Sequence, residues 1–210
     1  MTATSRTIAE GARALGVALT ADQVEKLARY SERVLRWNAT HNLVSSADTP
    51  RFLPRHLLDS LSLVPYLRGT SVLDVGTGAG LPGVPLAIAA PSRHFVLLDR
   101  SERKLRFARQ AVIELSLANA EIVVADAREY RPGRFFDTVV ARAVMPPVEL
   151  WRVARALLAA EGVLIVQCGD PAALDLPEGV TIGRHRIDIP GLDVPHWVLE
   201  LNAASPVDPP

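Results

Sequence analysis

The chain has 210 residues, with 23 Lys+Arg against 23 Asp+Glu, 49% hydrophobic residues and a single cysteine, Cys168. That length suits one domain with at most a small appendage, and a core of this size needs no covalent staples. One cysteine excludes an intramolecular disulfide framework and a multi-cysteine zinc site, and no metal ligands are nominated. No apolar run approaches the roughly 18 residues of a membrane span. With no signal-peptide pattern, the chain is expected to be cytoplasmic, and residues 1–11 read as the start of an amphipathic helix in preference to a transit peptide.

The neutral total hides an asymmetry. Residues 1–155 carry 21 Lys+Arg and 15 Asp+Glu, whereas residues 156–210 carry 2 and 8. Neutrality argues against a wholly basic nucleic-acid-binding domain. Yet Arg93, Arg100, Arg103, Lys104, Arg106 and Arg109 crowd one stretch that holds only Asp99 and Glu102 as acids. Such a stretch either neutralises phosphates or forms a solvated helix face.

Residues 1–64 read as helical. A first helix is expected over about Thr7–Leu15, stopped near Gly16. Thr20 and Gln23 form a capping-box pair ahead of Val24, Leu27, Ala28, Ser31, Val34 and Leu35, which predicts a helix over Ala21–Asn38. A loop through Asn42 and Ser45 leads to a third helix over Arg55–Val64, with Pro54 at its start and Pro65 closing it.

From Ser71 the rhythm alternates. Strands are expected at Ser71–Val75, His94–Leu98, Glu121–Ala125, Phe136–Ala141 and Gly162–Cys168, with helices at Leu81–Ala90, Ser101–Leu115 and Val148–Ala160 between them. This alternation predicts an α/β fold with a mostly parallel sheet covered on both faces. Apolar runs at Thr181–Ile189 and Trp197–Leu201 suggest a C-terminal antiparallel hairpin, followed by a proline-rich tail.

The stretch Val72–Gly80 organises this pattern. Its apolar start reads as a buried strand, and Gly76, Gly78 and Gly80 read as a tight strand-to-helix turn where backbone can approach a ligand. Asp99 closes the next apolar run, 19 residues after Gly80. That is about the spacing of a ribose-binding acid, which is roughly 20 residues. The glycines are spaced G-x-G-x-G, not the G-x-G-x-x-G of a dinucleotide fingerprint, and Asp74 stands two residues before the first. This resembles the first motif of Rossmann-like S-adenosylmethionine-dependent methyltransferases. The spacing disfavours a dehydrogenase. A glycine-rich turn with only a packing role is the plainer alternative.

Further segments resemble one family, the bacterial small-subunit (16S) ribosomal RNA (guanine-N7-)-methyltransferases, known also as glucose-inhibited division protein B. The segments are Asn42–Ser45, Arg55-His56-Leu57-Leu58-Asp59-Ser60-Leu61, Asp74–Ala87 with its Leu-Pro-Gly-x-Pro-Leu continuation, and Phe136–Ala143. The chain reads as an N-terminal helical extension (1–66), a methyltransferase domain (67–202) and a flexible tail (203–210). The resemblance runs from about Ala21 to Gly169. It implies that Gly76 and Leu81 line the cofactor with Gly78 in the turn. The Ala127-Arg128 backbone is then expected at the adenine end, and Arg142 is expected to reach the cofactor or its neighbourhood. Asp99 joins this set on physical grounds, since a carboxylate there accepts from ribose hydroxyls; the alternative is a strand-end acid capping the Ser101 helix. For Arg142 the alternative is an ion pair with Asp126 or Asp137.

The chain departs from the family pattern in three places. Asp126-Ala127-Arg128-Glu129 replaces Arg-x-Glu-Glu, Gln167-Cys168-Gly169 lacks a usual lysine, and Arg100 stands where a serine is usual. The implied nucleophile, guanine N7, has an in-plane lone pair and no proton to lose, so no general base is needed and no catalytic residue is nominated. Asn42, Ser45, His56 and Asp59 are candidates for contact with the base, or anchors between loop and helix. Arg100, Arg103, Lys104, Arg106 and Arg109 are candidates for phosphate contact. The implied partner is small-subunit ribosomal RNA or an assembling or assembled 30S particle, without a membrane, and the chain reads as a monomer. A small-molecule methyltransferase of the same ancestry would explain the neutral charge and the missing lysine, whereas a binding module that kept the cofactor fold is disfavoured by the intact Asp74, glycines and Asp99.

Overall fold

The computed structural model describes residues 2–142, 145–169 and 179–203. Among these residues, seven strands form one sheet: β1 (Ser71–Val75), β2 (His94–Asp99), β3 (Ala120–Val124), β4 (Phe136–Arg142), β5 (Leu158–Cys168), β6 (Val180–Ile187) and β7 (His196–Ala203). Their spatial order is β3-β2-β1-β4-β5-β7-β6, parallel through β5 and then antiparallel at β7 and β6. The mostly parallel sheet and the C-terminal hairpin are therefore as the sequence predicts. The tail beyond Ala203, and Ala143 of the fourth-strand motif, lie outside the described residues.

Period-two alternation sorts the strand side chains between two cores. Val72, Phe95, Leu97, Val140, Ile165 and Val198 face helices α1 (Ala3–Ala14), α2 (Ala21–His41), α4 (Gly83–Ala89) and α5 (Glu102–Glu114). Leu73, Val75, Val96, Val139 and Leu164 face α6 (Pro147–Arg155). The N-terminal helices thus share a continuous core with the sheet.

The Thr20–Gln23 capping box forms as predicted, with Gln23 N–H donating to Thr20 Oγ1 at 3.3 Å and Thr20 N–H to Gln23 Oε1 at 2.8 Å. The same Gln23 amide donates to the carbonyls of Ile88 and Ala89, capping the far end of α4. α2 continues three residues past the predicted Asn38, because Asn42 in the left-handed region (φ 50°) ends it.

Three expectations need correction. The first helix starts at Ala3, capped by Thr2, four residues before the expected Thr7. The third helix begins at Leu53 as a π-helical segment to Leu58, gives a single α-helical turn, α3 (Asp59–Leu61), and closes in a 3-10 turn at Val64–Tyr66. Pro65 sits inside that final turn, which does not need its missing N–H. The helix expected to reach Ala160 stops at Arg155, and β5 starts at Leu158. Leu-Leu-Ala-Ala is good helix-forming sequence, but the pairing of Phe136 with Leu158 extends the sheet and wins.

Candidate functional site

β1 ends at Val75, and the chain turns through Gly76, Gly78 and Gly80 with φ of 73°, 58° and 91°. All three lie where a Cβ is strained, which accounts for the glycines. The turn is tied to the end of β2: Gly76 and Thr77 N–H both donate to Leu98 O, at 2.8 and 3.0 Å. The Asp99 carboxylate accepts from Gly78 N–H at 2.9 Å through one oxygen and from Ser101 N–H at 2.8 Å through the other. Asp99 is thus both a support of the glycine turn and the strand-end acid before α5. A carboxylate has about four acceptor positions, so two remain for a ligand's hydroxyls.

Asp74 lies fully buried beneath the turn, with Oδ2 accepting from Gly83 N–H at 2.8 Å. Its Oδ1 and the Thr77 hydroxyl have no hydrogen-bond partner among the described residues. Burial raises the Asp74 pKa to about 7, opposed by the nearby Thr77 hydroxyl, although the two are outside hydrogen-bond geometry, by the Gly83 N–H and by Arg142. Behind the turn, the buried Tyr30 of α2 donates its hydroxyl to Ala79 O at 2.9 Å. Burial pushes the Tyr30 phenol well above its ordinary range, so it stays a donor. The sequence reading missed Tyr30, although it lies three residues from Leu27 on the buried stripe of α2.

Gly76, Asp99, Ala127, Arg128 and Arg142 line one cleft of ≈ 390 Å³ at the carboxyl ends of the central strands. This is the crevice position expected of ligand sites in open parallel sheets. Arg100 and Lys104 also border it. Gly78 and Leu81 do not line it: Gly78 acts through the N–H it gives Asp99, and Leu81 is buried in the core beside α4. The Arg128 backbone is engaged at both ends, N–H to Asp126 Oδ1 and carbonyl from Arg131, while its side chain pairs with Glu149.

Arg142 ion-pairs with neither Asp126 nor Asp137. Its Nη1 lies 3.4 Å from Asp59 Oδ2. Asp137 is at the opposite end of the sheet, where it accepts from Thr70 N–H and from the Ser71 N–H and hydroxyl, and the Ser71 and Thr70 N–H groups hold its carboxyl below the usual range. Asp59 does not face a ligand as an open group: it is 3% exposed and accepts from His196 Nδ1 at 2.7 Å and Gln167 Nε2 at 3.1 Å. Asn42 and Ser45 act locally, Asn42 ending α2 and Ser45 Oγ accepting from Ala47 N–H. His56 is mostly buried with neither ring nitrogen hydrogen-bonded among the described residues, and burial and the nearby Arg142 lower its pKa to about 4. Arg100, Arg103, Lys104, Arg106 and Arg109 are all exposed, and none forms an ion pair among the described residues. Among those residues, no helix is long and apolar enough to cross a membrane.

Among solved structures, the O-methyltransferase TomG from Streptomyces achromogenes, in complex with SAM, matches 98% of this chain and 100% of that one with a TM-score of 0.61 at 17% identity. The precorrin-6y C5,15-methyltransferase of Geobacter metallireducens matches 77% of this chain and 91% of that one, with a TM-score of 0.57 at 15% identity. These likenesses establish the Rossmann-like methyltransferase fold. Among curated proteins, the ribosomal RNA small subunit methyltransferase G of Methylococcus capsulatus is 43% identical over 194 residues, 91% of this chain and 95% of that one. The protein of the same name from Chromobacterium violaceum is 38% identical over 207 residues, 96% and 99%. The family model for rRNA small subunit methyltransferase G matches residues 23–178, and the chain belongs to that family.

Proposed function

We propose that this protein transfers a methyl group from S-adenosylmethionine to N7 of a guanine in small-subunit ribosomal RNA. The cofactor supplies an electrophilic methyl on a sulfonium. Asp99 would receive ribose hydroxyls with its two remaining acceptor positions, Gly76 would let the backbone approach closely, and Arg142 would offer a cation to the amino-acid carboxylate. Ala127 and Arg128 would border the opposite wall, with Gly78 and Leu81 holding the turn from behind.

Guanine N7 attacks through a lone pair with no proton to remove, so the chain's work is alignment and exclusion of water. The product ring gains positive charge, which an acceptor near the base would stabilise. The target base has to be presented unpaired or flipped, with the exposed arginines of α5 contacting phosphates. The substrate is the RNA or the assembling or assembled 30S particle, and the protein works as a cytoplasmic monomer. Residues 1–66 serve as an extension that braces the glycine turn through Tyr30, the methyltransferase unit spans 67–202, and 203–210 are a tail.

The observation that carries this reading is the pairing of a glycine turn with a half-satisfied Asp99 carboxylate across one cleft, in a chain of this family. Nucleoside mass spectrometry of small-subunit RNA from a strain lacking this gene should show 7-methylguanosine lost. Wild-type protein should restore it and Asp99→Ala should not. Retention of the modified nucleoside in the deletion strain would contradict the assignment.

A further inference from the structure

Among the described residues, the Arg142 guanidinium is the one cation lining the cleft that a buried carboxylate holds. Arg142 ends β4 and pairs in register with Gln167 on β5, so the two side chains stand on the same face of the sheet, the face covered by the N-terminal helices. Both converge on Asp59 of α3. Gln167 Nε2 donates to the Asp59 carbonyl at 2.6 Å and to Oδ1 at 3.1 Å, and His196, the first residue of β7, donates from Nδ1 to Oδ1 at 2.7 Å. An ionised carboxylate has no hydrogen to give, so Nδ1 of His196 carries the proton in this contact. The remaining oxygen, Oδ2, lies 3.4 Å from Arg142 Nη1.

The arrangement is asymmetric in a useful way. Asp59 is fixed by three elements, α3, β5 and β7, through two donors on Oδ1 and its own backbone carbonyl. Among the described residues, Arg142 makes one side-chain contact of this kind, the long one to Oδ2, and its side chain remains 20% exposed. A guanidinium has five N–H donors in a planar fork. The contact to Asp59 uses one, leaving the rest of the fork available on the cleft side. Building the anchor from a carboxylate also matters. A neutral group would leave a mostly buried guanidinium uncompensated, which a protein tolerates poorly.

We propose that Asp59 is a positioning residue, clamped by His196 and Gln167, whose task is to aim the Arg142 guanidinium into the cofactor cleft. This rests on the cofactor reading above and deepens it. It assigns a purpose to the Arg-His-x-x-Asp-Ser segment, to the neutral Gln167, and to the first residue of the antiparallel strand, none of which touches the cleft itself. It also means that the C-terminal hairpin takes part in ligand binding through His196.

The test is a double-mutant cycle read by calorimetric titration with S-adenosylhomocysteine, so no RNA is needed. Asp59→Asn keeps the size and one acceptor oxygen but removes the charge, and it should weaken binding about tenfold. In an Arg142→Ala background the same change should have less than a twofold effect, because there is then no guanidinium to aim. His196 supplies an independent pair: His196→Asn keeps an amide donor near the place of Nδ1 and should bind within threefold of wild type, whereas His196→Phe should lose several-fold. A purely structural role for Asp59 predicts additive losses in the two backgrounds and matched losses for both His196 variants, and either result overturns the proposal. Wild-type affinity for Asp59→Asn would overturn it too. Absence of binding by the wild-type protein would instead refute the cofactor reading. If Asp59→Asn does not fold, the His196 pair decides.

Discussion

Replacing Gly78 or Gly83 with alanine probes two different demands of the same turn. A Cβ at Gly78 would meet nothing closer than Lys104 Cδ at 3.9 Å, so its cost is the positive φ alone. That amounts to about 1–2 kcal/mol. Gly83→Ala would drive a methyl into the Leu97 side chain and to 2.6 Å from Asp74 Oδ2. Overpacking of this kind costs about 1–3 kcal/mol, and the Gly83 N–H bond to Asp74 would move with it. Urea denaturation should therefore rank Gly83→Ala below Gly78→Ala in stability, while Gly78→Val should block cofactor uptake by displacing the N–H that holds Asp99. Equal stabilities for the two alanine variants would contradict this division.

Asp74 adds a pH signature. Its folded pKa of about 7 lies above the ordinary value of 3.8, with burial as the main cause. Through that interval the folded chain keeps a proton that the unfolded chain has lost. The stability carried by the protonated group is therefore complete below about pH 4 and lost as pH rises toward 7. His56, lowered from 6.5 to about 4, acts in the opposite sense, with stability falling as the pH falls through that window. Asp74→Asn keeps an acceptor for Gly83 and cannot titrate. Its stability relative to wild type should rise between pH 4.5 and pH 7.5 in chemical denaturation, and an unchanged difference would contradict the raised pKa. The glycine turn, with Asp99 at the end of the next strand, was legible in the sequence because spacing encodes a turn. The partner of Arg142 was not, because Asp59 is 83 residues away and nothing local marks an ion pair across the fold.

At the scale of elements, α2 does more than cover the sheet. Tyr30→Phe would leave the Ala79 carbonyl buried without its donor, at a cost of about 1–3 kcal/mol. Because Ala79 lies inside the glycine turn, cofactor affinity should weaken along with stability; loss of stability with unchanged affinity would confine Tyr30 to packing. α5 makes the converse case. Its basic residues are solvent-exposed, and the double reversal Arg103→Glu with Arg106→Glu should abolish RNA methylation while leaving S-adenosylhomocysteine binding within twofold. Unchanged methylation would remove α5 from the RNA-facing surface. Boundaries of this kind of element were readable where caps are local, as at Thr20 and Ser101. They failed at Arg155–Leu158, where cross-strand pairing with Phe136 overrides helix propensity.

For the whole molecule, the strand alternation after Ser71 was enough to give the parallel sheet, because buried apolar runs separated by amphipathic helices have few other solutions. The order in which β7 inserts between β5 and β6 was not readable, since two short antiparallel runs carry no signal for which of them meets the parallel edge. That insertion brings His196 to Asp59 and completes the support of the cleft. The charge asymmetry agrees with this layout: the basic excess precedes residue 156 and includes the exposed face of α5 beside the cleft, while the acidic excess follows it.

The central claim is that this cleft presents a methyl donor to a guanine of small-subunit ribosomal RNA. It is tested most directly by incubating the purified protein with methyl-labelled S-adenosylmethionine and small-subunit RNA or particles from a strain lacking the gene, then resolving the nucleosides by mass spectrometry. The account predicts stoichiometric label in 7-methylguanosine, lost with Asp99→Ala. Label in another nucleoside, or transfer that proceeds equally well without RNA, would contradict it.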